Sequence, residues 1–401
     1  MRALEGLKVV DAATFIAAPC AATALLDFGA EVIKVEAPGG DPWRKMYANP
    51  GMPKSPFNYG WLVDNRGKRS ITLDLKRDAA REVLHALAKW ADVFITNYPL
   101  DVRARLGATY ADIAPLNPRL VYASFTGYGE AGPERERPGF DSVVWWARSG
   151  LMDTVKASTA HPPARSLPGM GDHPSGMGFL SAILLGLYQR ERTGKGCEVG
   201  SSLLMNGLWS NAAFAQASLA GATFPERPPR ETPANALTNH YKCRDGHWFI
   251  LSMVSEERDW PAFVRALDRP ELAIDPRFAT MAARHAHATE LTAVLDEVFL
   301  TRDWTAWQPV LEATGITLGL VQKQVDIASD VQMKASGAIV PLAEPIEGVT
   351  HTVSSPFWIA GQDKVPPTRA PDAGEHTEAV LRQLGYDTPA IARLKTAGAL
   401  G

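Results

Sequence analysis

Through the first third of the chain the apolar and polar positions follow two periods, and the two periods take turns. Glu31–Glu36 alternates with the period of a strand. Lys8–Asp11, Ser70–Leu75, Asp92–Asn97 and Leu120–Phe125 are short apolar runs that read as four further strands. Ala17–Phe28 and Asp78–Trp90 lie between them and read as helices, the second amphipathic. Strands separated by helices predict βαβ units and an α/β fold with a parallel sheet covered on both faces. Right-handed crossovers follow, with ligands beyond the carboxyl ends of the strands.

The pattern then changes. Residues 223–235, with the proline-rich run Phe224–Pro233, read as a linker. Beyond it, His240–Cys243 and His247–Ser252 flank Asp245 and Gly246, a hairpin signal. Helices are predicted around Asp259–Leu267, Glu290–Phe299 and Trp304–Thr314, so 236–329 reads as a separate, smaller α+β domain. From about 330 the chain turns strand-like again, at Ala338–Leu342 and Val349–Val353. It ends in two helical stretches, Glu375–Leu384 and Pro389–Ala397.

Length and composition narrow the class. A chain of 401 residues suits two or three domains, and 46% apolar with 21% charged residues is ordinary for a soluble protein. A net charge of −3 excludes a strongly basic nucleic-acid surface. No apolar run approaches the roughly 20 residues that span a bilayer. The three cysteines, Cys20, Cys197 and Cys243, form neither a disulfide framework nor a zinc pattern, and His285 and His287 do not share a helix face. The expectation is a reduced, cytoplasmic, soluble protein with no metal, no membrane and no nucleic-acid partner. The first strand-to-helix turn, Ala12–Pro19, contains no glycine, which argues against a dinucleotide pyrophosphate there.

One stretch carries candidate chemistry. Gly169–Gly178 sets Asp172 among small residues and runs straight into an apolar helical segment, Phe179–Tyr188. Pro174 suits a first helical turn, whose free N–H groups favour an anion and hold a developing oxyanion. Gly171, Gly176 and Gly178 would leave room for a ligand and for inward-pointing N–H groups. Asp172 reads either as a working carboxylate or as a helix cap, and His173 as a cap or solvated histidine before an acid-base group.

Several motifs converge on one family. Leu4–Asp11, Ala30–Glu36, Asn65–Lys76, Phe125–Pro133, Gly171-Asp172, Tyr188–Gly196 and Gly374–Thr377 resemble, in order, segments of the class III coenzyme A transferases (CaiB/BaiF type). That family includes formyl-CoA transferase and carnitine CoA-transferase and is related to α-methylacyl-CoA racemase. The resemblance implies a large Rossmann-like domain built from 1–222 and a return segment, 330–401, with the middle segment forming the small domain. It also implies an interlocked homodimer. Acyl-CoA and a free carboxylic acid are the substrates it implies, and coenzyme A enters only as a substrate moiety, with no other cofactor.

By the same resemblance Asp172 is the catalytic aspartate, forming a mixed anhydride and then an aspartyl-CoA thioester. Leu73, Lys76, Asn97, Tyr98 and Arg105 match CoA-contacting positions. Ile16 stands where formyl-CoA transferase has a glutamine, the family's arginine after the second strand gives way to Ala37-Pro38, and the tetraglycine loop is absent, so formyl and oxalate specificity is not expected. Ile16, Arg44 and Asp141 are the candidate substrate-binding residues. Arg44, beside Trp43, would suit a second carboxylate, as in a succinyl donor. In the racemase relatives a histidine follows the Gly-Tyr-Gly motif; here Phe140 stands between Gly139 and Asp141 and carries no proton, which favours transfer. Asp141 either orients the site or caps the helix holding Trp145 and Trp146. An acyl-CoA racemase and a non-catalytic acyl-CoA-binding protein remain the competing readings.

Overall fold

In the computed structural model, which describes residues 1–401, the strand-like segments assemble into one six-stranded sheet. Its strands are β1 (Lys8–Ala12), β2 (Glu31–Glu36), β3 (Arg69–Thr72), β4 (Val93–Thr96), β5 (Val121–Thr126) and β6 (Cys197–Ser202). They lie in the order β3-β2-β1-β4-β5-β6, every neighbouring pair parallel. The order reverses between β1 and β4, where a doubly wound sheet opens a crevice at its carboxyl edge.

Period two explains the two cores. Val9, Val32, Val93, Ile95 and Val121 face one side, against the Ala17–Asp27 and Asp172–Thr193 helices. Val10, Ile33, Val35, Phe94 and Tyr122 face the other, against Ala80, Val83, Leu84 and Leu87 of the Asp78–Trp90 helix. Each such side chain, fully buried, contributes about 1.5–3 kcal/mol. Val380, Leu381, Ile391 and Leu394 join the second core from the Thr377–Gln383 and Thr388–Thr396 helices. This return segment is also tied to β3: the His376 N–H donates to the Ser70 carbonyl and the Thr72 N–H to Thr377 Oγ1.

The chain divides into two units, one of 1–154, 165–221 and 331–401, the other of 155–164 and 222–330. The second unit has a three-stranded antiparallel sheet of β7 (Thr238–Lys242), β8 (Trp248–Ser252) and β9 (Thr317–Leu320). Its core centres on Phe249, Phe263, Leu295, Phe299 and Trp307. The proline-rich stretch is fastened within this unit, where Arg230 pairs with Asp296 and donates to the His240 carbonyl. In the first unit, β10 (Ile339–Ile346) and β11 (Val349–Val353) form an antiparallel ribbon. No helix is long and apolar enough to cross a membrane.

Candidate active site

The loop leaving β1 lies beside the end of β4, at the reversal of strand order, and is pinned by side chains on several elements. Asn97 Oδ1 accepts from the Thr14 N–H at 2.8 Å while Asn97 Nδ2 donates to the Thr14 carbonyl at 2.7 Å. Asp41 accepts from the Phe15 N–H, and Lys34 holds Asp41 at 3.0 Å and donates to the Ala13 carbonyl. Lys68 reaches Asp11 and the Pro19 carbonyl, both at 2.8 Å, and all three charged groups of the Asp11, Lys34 and Lys68 cluster are buried. These bonds keep Phe15 at φ +63°, a left-handed backbone that costs a bulky residue about 1–3 kcal/mol. A turn without glycine is therefore made by side-chain clamps.

Asp172 begins the Asp172–Thr193 helix and is half-buried. The N-cap is Gly171, with no side-chain cap, so Asp172 sits inside the first turn and not at the capping position. There the helix dipole favours its ionised form. Asp141 is buried and does two jobs at once: Oδ1 accepts from the Ser142 N–H at 2.7 Å and Oδ2 from the Gly171 N–H at 3.1 Å. It caps its own helix, and it fixes the backbone one residue before Asp172.

The glycines do not leave the space expected of them. A Cβ on Gly171 would lie 2.7 Å from the Trp145 ring; one on Gly176 would lie 2.1 Å from Cys20 Sγ, and one on Gly178 2.1 Å from Asn206 Oδ1. Their room is filled by the protein itself, and their function is close packing.

Electrostatics also departs from expectation. Burial, and then the Asp141 carboxylate, push Asp172 up to about 8, with His173 pulling the other way. At pH 7 roughly a tenth of such a group is ionised. His173 is the compensating charge. Its Nε2 faces Asp64 Oδ1 and its Nδ1 the Gly169 carbonyl, each at 3.0 Å. Both ring nitrogens face acceptors, so both donate and the ring is an imidazolium. Burial is the largest single influence and opposes that charge, but the hydrogen bond to Asp64, the Asp64 charge, the Gly169 carbonyl and the Asp172 charge together outweigh it and raise His173 to about 9. Asp64, fully buried and also accepting from Trp43 Nε1 at 2.8 Å, is a residue to which no motif pointed.

The remaining candidates divide. Leu73 and Lys76 follow β3, and Asn97 and Tyr98 follow β4, so all four lie at the carboxyl edge of the sheet. Leu73 is 1% exposed and bridges to Leu400, Lys76 is exposed, and burial pushes the Tyr98 phenol up to about 12. Asn97 spends its amide on Thr14. Arg105 is exposed on the Leu100–Leu106 helix, 3.3 Å from Asp101. Ile16 is buried with Trp43 and Trp61, and would lie 3.6 Å from a Cβ on Gly169. Arg44 is not held out for a substrate carboxylate. Both Nε and Nη2 contact Glu36 at 2.7 Å, Nη2 also donates to the Pro371 carbonyl, and the guanidinium stacks 3.8 Å from the Trp61 ring centre.

Comparison with known proteins points to one family. The family model described as "CoA-transferase family III" matches residues 4–377. The chain is 31% identical over 393 residues to the (R)-2-hydroxy-4-methylpentanoate CoA-transferase of Clostridioides difficile, covering 98% of each chain. It is 31% identical over 397 residues to the cinnamoyl-CoA:phenyllactate CoA-transferase of Clostridium sporogenes, covering 98% of this chain and 95% of that one. Among solved structures, a CAIB/BAIF family protein from Brucella suis superposes with a TM-score of 0.85 at 31% identity, covering 96% of this chain and 99% of the other.

Proposed function

Because this chain belongs to CoA-transferase family III, we propose that it moves coenzyme A from an acyl-CoA to a free carboxylic acid with Asp172 as the covalent carrier. The Asp172 carboxylate attacks the thioester carbonyl, the C–S bond breaks, and a mixed anhydride and CoA thiolate result. The thiolate attacks the aspartyl carbonyl, releasing the first acid and leaving aspartyl-CoA. The acceptor carboxylate attacks that thioester, giving a second mixed anhydride and thiolate. Attack of the thiolate on the acceptor's acyl carbonyl yields the new acyl-CoA and restores Asp172. Each step exchanges one activated acyl bond for another, so little of the thioester's free energy is lost to water.

The observation that supports this best is the half-buried carboxylate in a helical first turn, flanked by the His173 imidazolium and by an amide frame fixed through Asp141. The cation and the helix dipole offset the charge that the nucleophile must carry. Exposed Lys76 and Arg105 are the candidate phosphate contacts, Lys as a point charge and Arg as a fork. Leu73, Asn97 and Tyr98 would line the approach at the strand ends.

Intact-mass measurement tests the reading. Incubation with an acyl-CoA should add the mass of CoA at Asp172, in an adduct that hydroxylamine removes. Asp172→Ala should keep the fold and CoA affinity while losing at least about a thousandfold in kcat. A variant that kept wild-type turnover would end the assignment. A racemase would exchange the substrate's α-proton in deuterated water. None is expected, since Phe140 offers no second acid-base group.

A homodimer, interlocked as the resemblance implies, is part of the same proposal. Leu185, Tyr188, Met205, Leu208, Trp209 and Leu219 stand exposed on three successive helices, an apolar extent that fits burial against a second copy.

A further inference from the structure

We propose that Phe15 and Phe140 form an apolar clamp for the substrate's acyl chain, so that the enzyme prefers acids bearing an aryl or branched alkyl group over short dicarboxylates. The inference rests on the reading of Asp172 as carrier and adds the substrate class.

The two rings come from loops far apart in sequence and meet edge to face, with centroids 5.5 Å apart and planes at 78°. Phe140 is 59% exposed. Phe15 is half-buried and stands on a left-handed backbone that the Asn97 and Asp41 hydrogen bonds maintain. Strain held in place by dedicated bonds beside a reactive group is a mark of function.

Each ring is one residue from a side chain that frames the carboxylate. Ile16 follows Phe15 and approaches Gly169; Asp141 follows Phe140 and holds the Gly171 amide. An apolar acyl group placed against these rings would exchange water contact for aromatic contact beside the residues that frame Asp172. A second carboxylate would find the opposite. The His173 imidazolium is already hydrogen-bonded to Asp64 and the Gly169 carbonyl, and Arg44 to Glu36, so neither cation is left to receive it, while the Asp141 carboxylate stands close by on the Gly171 amide.

The test compares phenylacetyl-, 4-methylpentanoyl-, acetyl- and succinyl-CoA as donors to acetate, reading both kcat/KM and the CoA adduct on Asp172. The wild type should favour the phenylacetyl and 4-methylpentanoyl donors over succinyl-CoA by at least about tenfold. Phe140→Ala and Phe15→Gly, the second keeping the left-handed backbone while deleting the ring, should each cut that ratio by about tenfold in protein that still melts cooperatively. A wild type that uses succinyl-CoA equally well, or a ratio unmoved in both folded variants, overturns the clamp while the adduct stands. Absence of the adduct with every donor overturns the covalent reading, and the clamp falls with it.

Discussion

Asp172 must lose a proton before it can attack, and its surroundings resist that loss. With burial and Asp141 raising it to about 8, kcat/KM should climb with pH and level off above about 8. His173→Gln removes the cation that opposes this rise, so the midpoint should move to higher pH, which a pH–rate profile would read. A fall in the midpoint would contradict the assigned charge. The same shift acts on stability. The folded state holds a proton on Asp172 that the unfolded chain releases near pH 4, so between about 4 and 8 the native state binds more protons and loses stability as pH rises. Asp172→Asn should therefore raise the unfolding free energy at pH 8 by on the order of 1–2 kcal/mol, read as a higher melting temperature, and the gain should shrink toward pH 4. Asp172 and Asp141 were legible because they sit in or beside short motifs. Asp64 was not, because its pairing with His173 spans 109 residues and leaves no local pattern. Arg44 is engaged by Glu36, eight residues away, a pairing that no motif in the sequence announces.

At the scale of elements, strands and helices with strong periodicity were read within a residue or two, the Asp78–Trp90 helix and β2 among them. β6 was missed. Its sequence, Cys-Glu-Val-Gly-Ser-Ser, has only two apolar residues and pairs on one side only, with β5, so its alternation is too short to stand out and no buried run marks it. The glycines of the Asp172–Thr193 helix were seen but given the wrong purpose, since a helix–helix approach looks the same in sequence as an open pocket. Gly176→Ala tests the difference: with Cys20 Sγ and the Ala17 carbonyl in the way, it should cost about 1–3 kcal/mol in denaturant unfolding. A neutral result would mean that the space is open after all. Leu84→Ala, in the opposite core, should cost about 2–5 kcal/mol in the same assay.

For the molecule as a whole, alternating strands and helices were enough to give an α/β fold built on a parallel sheet. What the pattern could not supply is the strand order, because periodicity fixes which face of a strand is buried and not which neighbour it takes. That order matters most, since it puts the β1 loop against Asn97 and makes the crevice. The exposed apolar helices predict a particle of twice the chain mass in light scattering. A monomer that stays soluble at micromolar concentration would remove the case for a dimer.

The buried lysines beneath the β1 loop have a practical consequence. Lys34 and Lys68 have no exposed amine, whereas Lys76, a few residues on, is open to solvent. Brief treatment with an acylating reagent should tag Lys76 and spare the other two for as long as that edge is intact. Peptide mapping would then give a readout of local opening that needs neither substrate nor turnover, and it would tell an inactive variant that has lost its chemistry from one that has lost its scaffold.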